Sequence, residues 1–176
     1  MSISPLQNST NFGLTPVELR FVVVGREWSD RFIMERLRLV QVLGSRAVDI
    51  QHIGSTAVPG ITAKPILDIG VAIRDFESSR NLEIPLGTVG YKHFFEDGNR
   101  ILYTFGGERI THHLHLFKPD SWEWQRHLHF RDRLLASPEL AARYSQLKLE
   151  AAKHSNGDRN RYQDLKSSFI EELQNP

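Results

Sequence analysis

The chain has 176 residues, 40% of them hydrophobic, with 22 Lys and Arg against 21 Asp and Glu and no cysteine. That length suits one compact domain with a buried core, and a formal net charge of +1 supplies no global field to draw the protein onto nucleic acid or an anionic membrane, so recognition of any anion must be local. The lack of cysteine excludes disulfides, thiolate nucleophiles and Cys-ligated zinc; with no basic-then-apolar leader in "MSISPLQNST" and no apolar run long enough for a bilayer, a soluble cytoplasmic protein is expected.

Residues 1–16 are polar, carry two prolines and read as a flexible lead-in to a single domain over 17–176. "VELRFVVVG" is β-branched enough to predict a first strand. In "EWSDRFIMERLRLVQVL" the period changes: Phe32, Ile33, Leu37, Val40 and Leu43 recur at helical spacing, with Ser29 as the expected cap. "AVDIQHI" predicts a strand and "PILDIGVAI" another, apolar on both faces and therefore central. "FESSRNLEI" reads as a short helix ended around Pro85 and Gly87, and "YKHFF" and "RILYTF" as strands, with Gly106-Gly107 turning the chain into "ERITHHLHLF" as a hairpin. The remainder is helical. A capping box of Asp120 and Glu123 precedes "WEWQRHLHFRDRLLA", Ser137-Pro138 opens the next helix, and Gly157-Asp158 separates it from a last one carrying Tyr162, Leu165, Phe169 and Leu173. The order predicts an α+β fold: a mixed β-sheet flanked by helices, with a C-terminal helical segment.

The chemistry concentrates in "HIGSTAVPGITAKPILDIGV". Small residues at Gly54, Ser55 and Thr56 behind a strand let backbone N–H groups and a hydroxyl approach a phosphate closely. Asp68 stands in an apolar run, where an unpaired carboxylate is costly to bury, so it calls for a metal, a cation or several donors; Lys64 is the nearest cation in sequence. The same residues also suit plain roles: two turns, and a strand acid satisfied by backbone donors.

Taken with "THHLHLF", "HLHFRDRLLASPELAARYSQLK" and "RYQDLKSSFI", this stretch resembles the GrpB family, small proteins similar in fold to nucleotidyltransferases, over roughly residues 20 to 172. The nucleotidyltransferase pattern is a hydrophobic residue with Gly-Gly or Gly-Ser, then Asp-hydrophobic-Asp/Glu-hydrophobic further on. Ile53-Gly54-Ser55 and Asp68-Ile69 fill it, but Gly70 stands where the second carboxylate belongs. Nucleotidyl transfer normally uses Mg²⁺ held by two or three carboxylates, so the resemblance implies the fold and leaves the activity open.

A different donor set is available. Strand alternation in "THHLHLF" puts His113 and His115 on one face and His112 on the other, so Asp68, His113 and His115 form a three-ligand candidate, with His52 as a fourth. Imidazole suits Zn²⁺, Fe²⁺, Mn²⁺ or Ni²⁺ better than Mg²⁺; the expected cofactor is a divalent metal, with Mg²⁺, Mn²⁺ and Zn²⁺ all open. The alternative is two histidines hydrogen-bonded on a half-exposed sheet. Arg126, Arg131 and Arg133, and later Lys148, Arg161 and Lys166, are placed to clamp a polyphosphate if their helices turn toward the Gly-Ser loop; otherwise they are solvated. Two functions follow. One is a metal-dependent transferase acting on a nucleotide or phosphorylated small molecule, with Gly54, Ser55, Thr56, Arg126 and Arg131 on phosphate and Asp68 and Lys64 in catalysis. The other is a non-catalytic module binding a nucleotide or coenzyme, encouraged by the missing carboxylate and by relatives fused to dephospho-CoA kinase.

Overall fold

In the computed structural model, which describes residues 20–174, the two-residue periodicity of the sequence becomes mainly one mixed sheet and the 3.6-residue periodicity becomes helices. The chain runs β1 (Val22–Val23), α1 (Glu27–Leu43), β2 (Ala47–Ile53), β3 (Thr62–Ala63), β4 (Leu67–Ile73), α2 (Glu83–Thr88), β5 (Lys92–Glu96), β6 (Arg100–Phe105), β7 (His112–Phe117), α3 (Trp122–Ala136), α4 (Pro138–His154) and α5 (Arg159–Gln174). The five-stranded sheet has the order β2-β4-β7-β6-β5. Its central β4–β7 pair is parallel and the other pairings are antiparallel. β1 and β3 form a separate ribbon. The α+β class read from the sequence is the observed one, whereas the lead-in expected over 1–16 lies outside the described residues. No helix among the described residues is long and apolar enough to cross a membrane.

The two faces of the sheet differ in what they bury. Leu67, Ile69, Val71 and Ile73 of β4 line one face with Leu114 and Leu116 of β7 and Ile101 and Tyr103 of β6; Leu39 and Leu43 of α1 and Leu86 of α2 belong to the same core. The other face carries Asp68, Gly70 and Ala72 beside Ile53 on β2 and His113, His115 and Phe117 on β7. Part of it is closed by α3, whose Trp124 and Leu128 pack on Ile53, Ala72 and Phe117. The uncovered remainder is where the polar residues gather.

Several expectations need correction. The first strand shrinks to two residues because its partner β3 is equally short, confined between the Gly60 turn and Pro65, which has no N–H to extend a ladder. Helix α1 starts after Arg26, so Ser29 lies inside the first turn and caps nothing. Its buried stripe is Trp28, Glu35, Leu39 and Leu43, which leaves Ile33, Leu37 and Val40 exposed. The reason is a polar anchor: buried Glu35 accepts from Tyr91 Oη (2.9 Å) and from Arg38, and this sets the rotation of the helix. Pro85 and Gly87 fall within α2 rather than ending it; Pro85 sits in the first turn, where no intrahelical N–H donor is needed. The cap of α3 is Ser121, which accepts from the Trp124 N–H at 3.2 Å, rather than a box built on Asp120. Ser137 and Pro138 open α4 as expected, with the Ser137 hydroxyl accepting from the Leu140 N–H.

Candidate active site

Register decides which side chains meet. Along the parallel pair, Asp68 stands beside His113 and Gly70 beside His115, while His112 points to the opposite face and packs against Phe105 and Tyr91. His113 Nδ1 lies 3.0 Å from Asp68 Oδ1, and His115 Nε2 lies 3.7 Å from the same oxygen. Each of the three residues offers a ligand atom, all within 4.8 Å of one another. Burial pushes the Asp68 carboxyl up, but the hydrogen bond with His113 and the nearby His115 imidazole outweigh it and hold the group well below the usual carboxylate range. Burial likewise pushes His115 down, with Asp68 opposing only in part. At neutral pH the acid is therefore ionised and His115 neutral, the forms in which both can bind a metal.

The turn before Asp68 is shaped to it. Gly54 has φ +68°, and a Cβ there would lie 2.6 Å from Asp68 Oδ2, so a side chain is disfavoured both by backbone conformation and by the carboxylate behind it. Gly70 is closed in a different way: a Cβ would come within 2.9 Å of the Trp124 ring and 3.2 Å of Ile53 Cδ1. The position of the second carboxylate in the nucleotidyltransferase pattern is thus filled by an indole.

Asp68 and His113 open onto a cleft of about 170 Å³ that Ser55 also lines, and its far wall comes from the helical segment. Three lysines point to it. Lys148 of α4 is buried, donates to the Thr62 carbonyl and lies 4.3 Å from the Tyr144 ring centroid. Burial, with the neighbouring Lys166 charge, pushes its pKa down to about 7. Lys64 and Lys166 sit over the ring of Tyr162, at 4.3 and 4.4 Å. Burial pushes the Tyr144 phenol up to about 12, against a hydrogen bond with Ser55.

Of the residues singled out in the sequence, Gly54, Ser55, Lys64, Asp68, His113, His115, Lys148 and Lys166 come together, and Asp68 pairs with the two imidazoles. His52 does not join them. It faces Ile69 across β2–β4, hence the side away from Asp68, and stacks on Phe32 at 5.0 Å. Thr56 is buried within the turn, its hydroxyl donating to the Ile66 carbonyl and lying 3.1 Å from His52 Nε2, so it presents nothing to a phosphate in the cleft. Arg131 ties α3 to β2, donating to Gln51 Oε1 (2.9 Å) and the His52 carbonyl (3.0 Å). Arg126 lies beside His127 and outside the cleft. The cations that line the cleft are lysines and not arginines, and what sequence reasoning misses is the pair of rings beneath them. The signal is there: Tyr144–Lys148 and Tyr162–Lys166 are the same i,i+4 pair on consecutive helices.

The GrpB protein family model matches residues 18–175. The chain is 32% identical over 155 residues to the UPF0157 protein YqkA of Bacillus subtilis, covering 87% of this chain and 45% of that protein, so it spans about half the length of that relative. To the glutamate-rich protein GrpB of Alkalihalophilus pseudofirmus it is 33% identical over 172 residues, 93% of this chain and 98% of that one. A dephospho-CoA kinase of Mycobacterium leprae is 26% identical over 163 residues, 76% of this chain and 40% of the kinase. The crystal structure of GrpB from Enterococcus faecalis superposes with a TM-score of 0.81 at 30% identity, covering 88% of this chain and 94% of that one. The GLD-2/RNP-8 complex aligns at 0.60 with 14% identity, covering 84% of this chain and 50% of the other, a likeness of fold alone. With a family match over nearly its whole length and a nucleotidyltransferase-like fold, the chain belongs to the GrpB family.

Proposed function

We propose that this protein is a metal-dependent enzyme that transfers a group to or from a nucleotide or phosphorylated small molecule. The observation that carries the reading is the shared cleft: Asp68 and His113, two of the three clustered ligand residues, line the same opening as Lys64, Lys148 and Lys166. A cation site and an anion-binding wall meet there, as a metal-bound phosphate requires. Donors on one ion are at most about 4.2 Å apart, twice a metal–nitrogen bond, so shifts of a few tenths of an ångström bring Asp68, His113 and His115 onto a common ion. A set of one carboxylate and two imidazoles favours Zn²⁺ or Mn²⁺ over Mg²⁺. When bound, the ion supplies positive charge to phosphate oxygens. The three lysines hold the rest of the anion, and the Gly54-Ser55 turn fixes the carboxylate from behind.

A second reading, a nucleotide- or coenzyme-binding module without turnover, is favoured by Gly70, where the indole of Trp124 leaves no room for a second carboxylate. The match to part of a dephospho-CoA kinase is consistent with it. Metal analysis of the purified chain, with thermal shifts across divalent metals, nucleotides and coenzyme A derivatives, tests both. Stoichiometric metal that disappears in Asp68→Ala and His115→Ala is expected; no metal and no shift with any ligand refutes both readings. Nucleotide binding without product formation selects the module.

A further inference from the structure

On the same sheet face, beyond His115 as seen from Asp68, lies a second group of side chains that the cleft does not use. Arg100 faces Phe117 across β6–β7 and Leu102 faces His115, so Arg100 and His115 are diagonal neighbours on one face. His127 of α3 covers both rings, its centroid 4.9 Å from Phe117 and 5.9 Å from His115. Arg126 is the adjacent residue on α3, and Arg100 lies over the Phe95 ring at 5.6 Å. The charges of Arg126 and Arg100 both bear on His127, which places the two guanidinium groups around the same ring.

Three nitrogens here are buried without a hydrogen-bond partner among the described residues: Arg100 Nε, Arg126 Nε and His115 Nδ1. Neither guanidinium has an ion pair with a carboxylate among those residues. Unmet donors on two always-charged groups close to a pair of histidines are costly to leave as they are, and an anion removes the cost at once. We infer that Arg100, Arg126 and the Nδ1 edge of His115 form a second oxyanion site, which takes the phosphate or carboxylate of a second substrate across the ligand cluster from the lysine cleft. Both arginines present forked N–H groups suited to two oxygens of one group. If His115 binds metal through Nε2, its proton is fixed on Nδ1 and becomes a third donor to the same anion. Only this third donor rests on the metal reading; the arginines do not.

Calorimetric titration of the full chain with inorganic phosphate, and separately with malonate, tests the site. Two phosphate sites are expected in the wild type. Arg100→Gln and Arg126→Gln each weaken one of them by about tenfold or more and leave intact the one that Lys166→Met removes. Arg100→Lys recovers part of the binding, since it keeps the charge without the fork. Both Gln variants are expected to melt no lower than the wild type without ligand, because each removes a charge with unmet donors. The stronger of phosphate and malonate at the arginine site names the oxyanion. Unchanged phosphate binding in a folded Arg100→Gln/Arg126→Gln double variant overturns the inference, as does a lone site that only the lysine variant abolishes. Failure of the metal reading has a separate signature: no Mn²⁺ or Zn²⁺ bound by the wild type, with the arginine-dependent phosphate site still present.

Discussion

Alanine at Gly70 measures how tightly the indole closes the place of the missing carboxylate. The new Cβ would lie 2.9 Å from the Trp124 ring and 3.2 and 3.3 Å from two Ile53 carbons, and Trp124 is only 5% exposed, held between α3 and the sheet with nowhere to retreat. Removing glycine from a strand gains about 0.5–1 kcal/mol in chain entropy, whereas overpacking of this kind costs about 1–3 kcal/mol, so a net loss of about 1–2 kcal/mol is expected. Aspartate adds a carboxylate among apolar groups and costs at least about 2 kcal/mol more. Urea unfolding reads both: with a slope of about 1–3 kcal/mol/M, Gly70→Ala lowers the midpoint by about 0.5–1 M. In a Trp124→Leu background the loss shrinks, because the closest atom is gone and only the two Ile53 contacts remain. A midpoint that rises in Gly70→Ala, or falls equally in both backgrounds, refutes the idea that the ring is what keeps position 70 bare.

Two further outcomes concern pH. His52, His112 and His127 are pushed down by burial to about 4, so the unfolded chain takes up their protons first; stability is full above about pH 6.5 and falls toward pH 4, by about 1–2 kcal/mol per histidine at pH 5, and denaturation curves flat between pH 7 and 5 would contradict this. Lys148 titrates near 7 in the folded protein and near 10.5 unfolded, so its buried charge costs most below pH 7 and progressively less toward pH 10. Lys148→Met should therefore stabilise the ligand-free protein by about 3 kcal/mol more at pH 6 than at pH 9.5 while weakening phosphate binding; melting curves offset equally at the two pH values would count against it.

Much of the framework is legible in the residues because local signals agree. "AVDIQHI" and "WEWQRHLHFRDRLLA" begin and end where β2 and α3 do. The meeting of Asp68 with His113 and His115 is also readable, since alternation in two strands suffices once they are neighbours. What fails depends on partners far along the chain. The rotation of α1 follows from Glu35 meeting Tyr91, 56 residues away, and no count of apolar positions contains that contact. His52 is lost to the cluster by a single register step, fixed by its pairing with Ile69. Arg131 looks like an anion ligand in sequence, yet its donors are taken by Gln51 and a strand carbonyl 79 residues away.

The parallel β4–β7 seam joins two parts that differ in how they assemble. β2 with β4 on one side, and β5, β6 and β7 on the other, are joined through pairings between strands close in sequence, whereas Asp68 and His113 are 45 residues apart. Non-local pairing closes late, after the local hairpins have gained their own contacts. If the proposed ion binds, Asp68 from one half and His113 and His115 from the other would hold it across that closure, and its main kinetic effect would be to delay separation of the halves rather than to hasten their meeting.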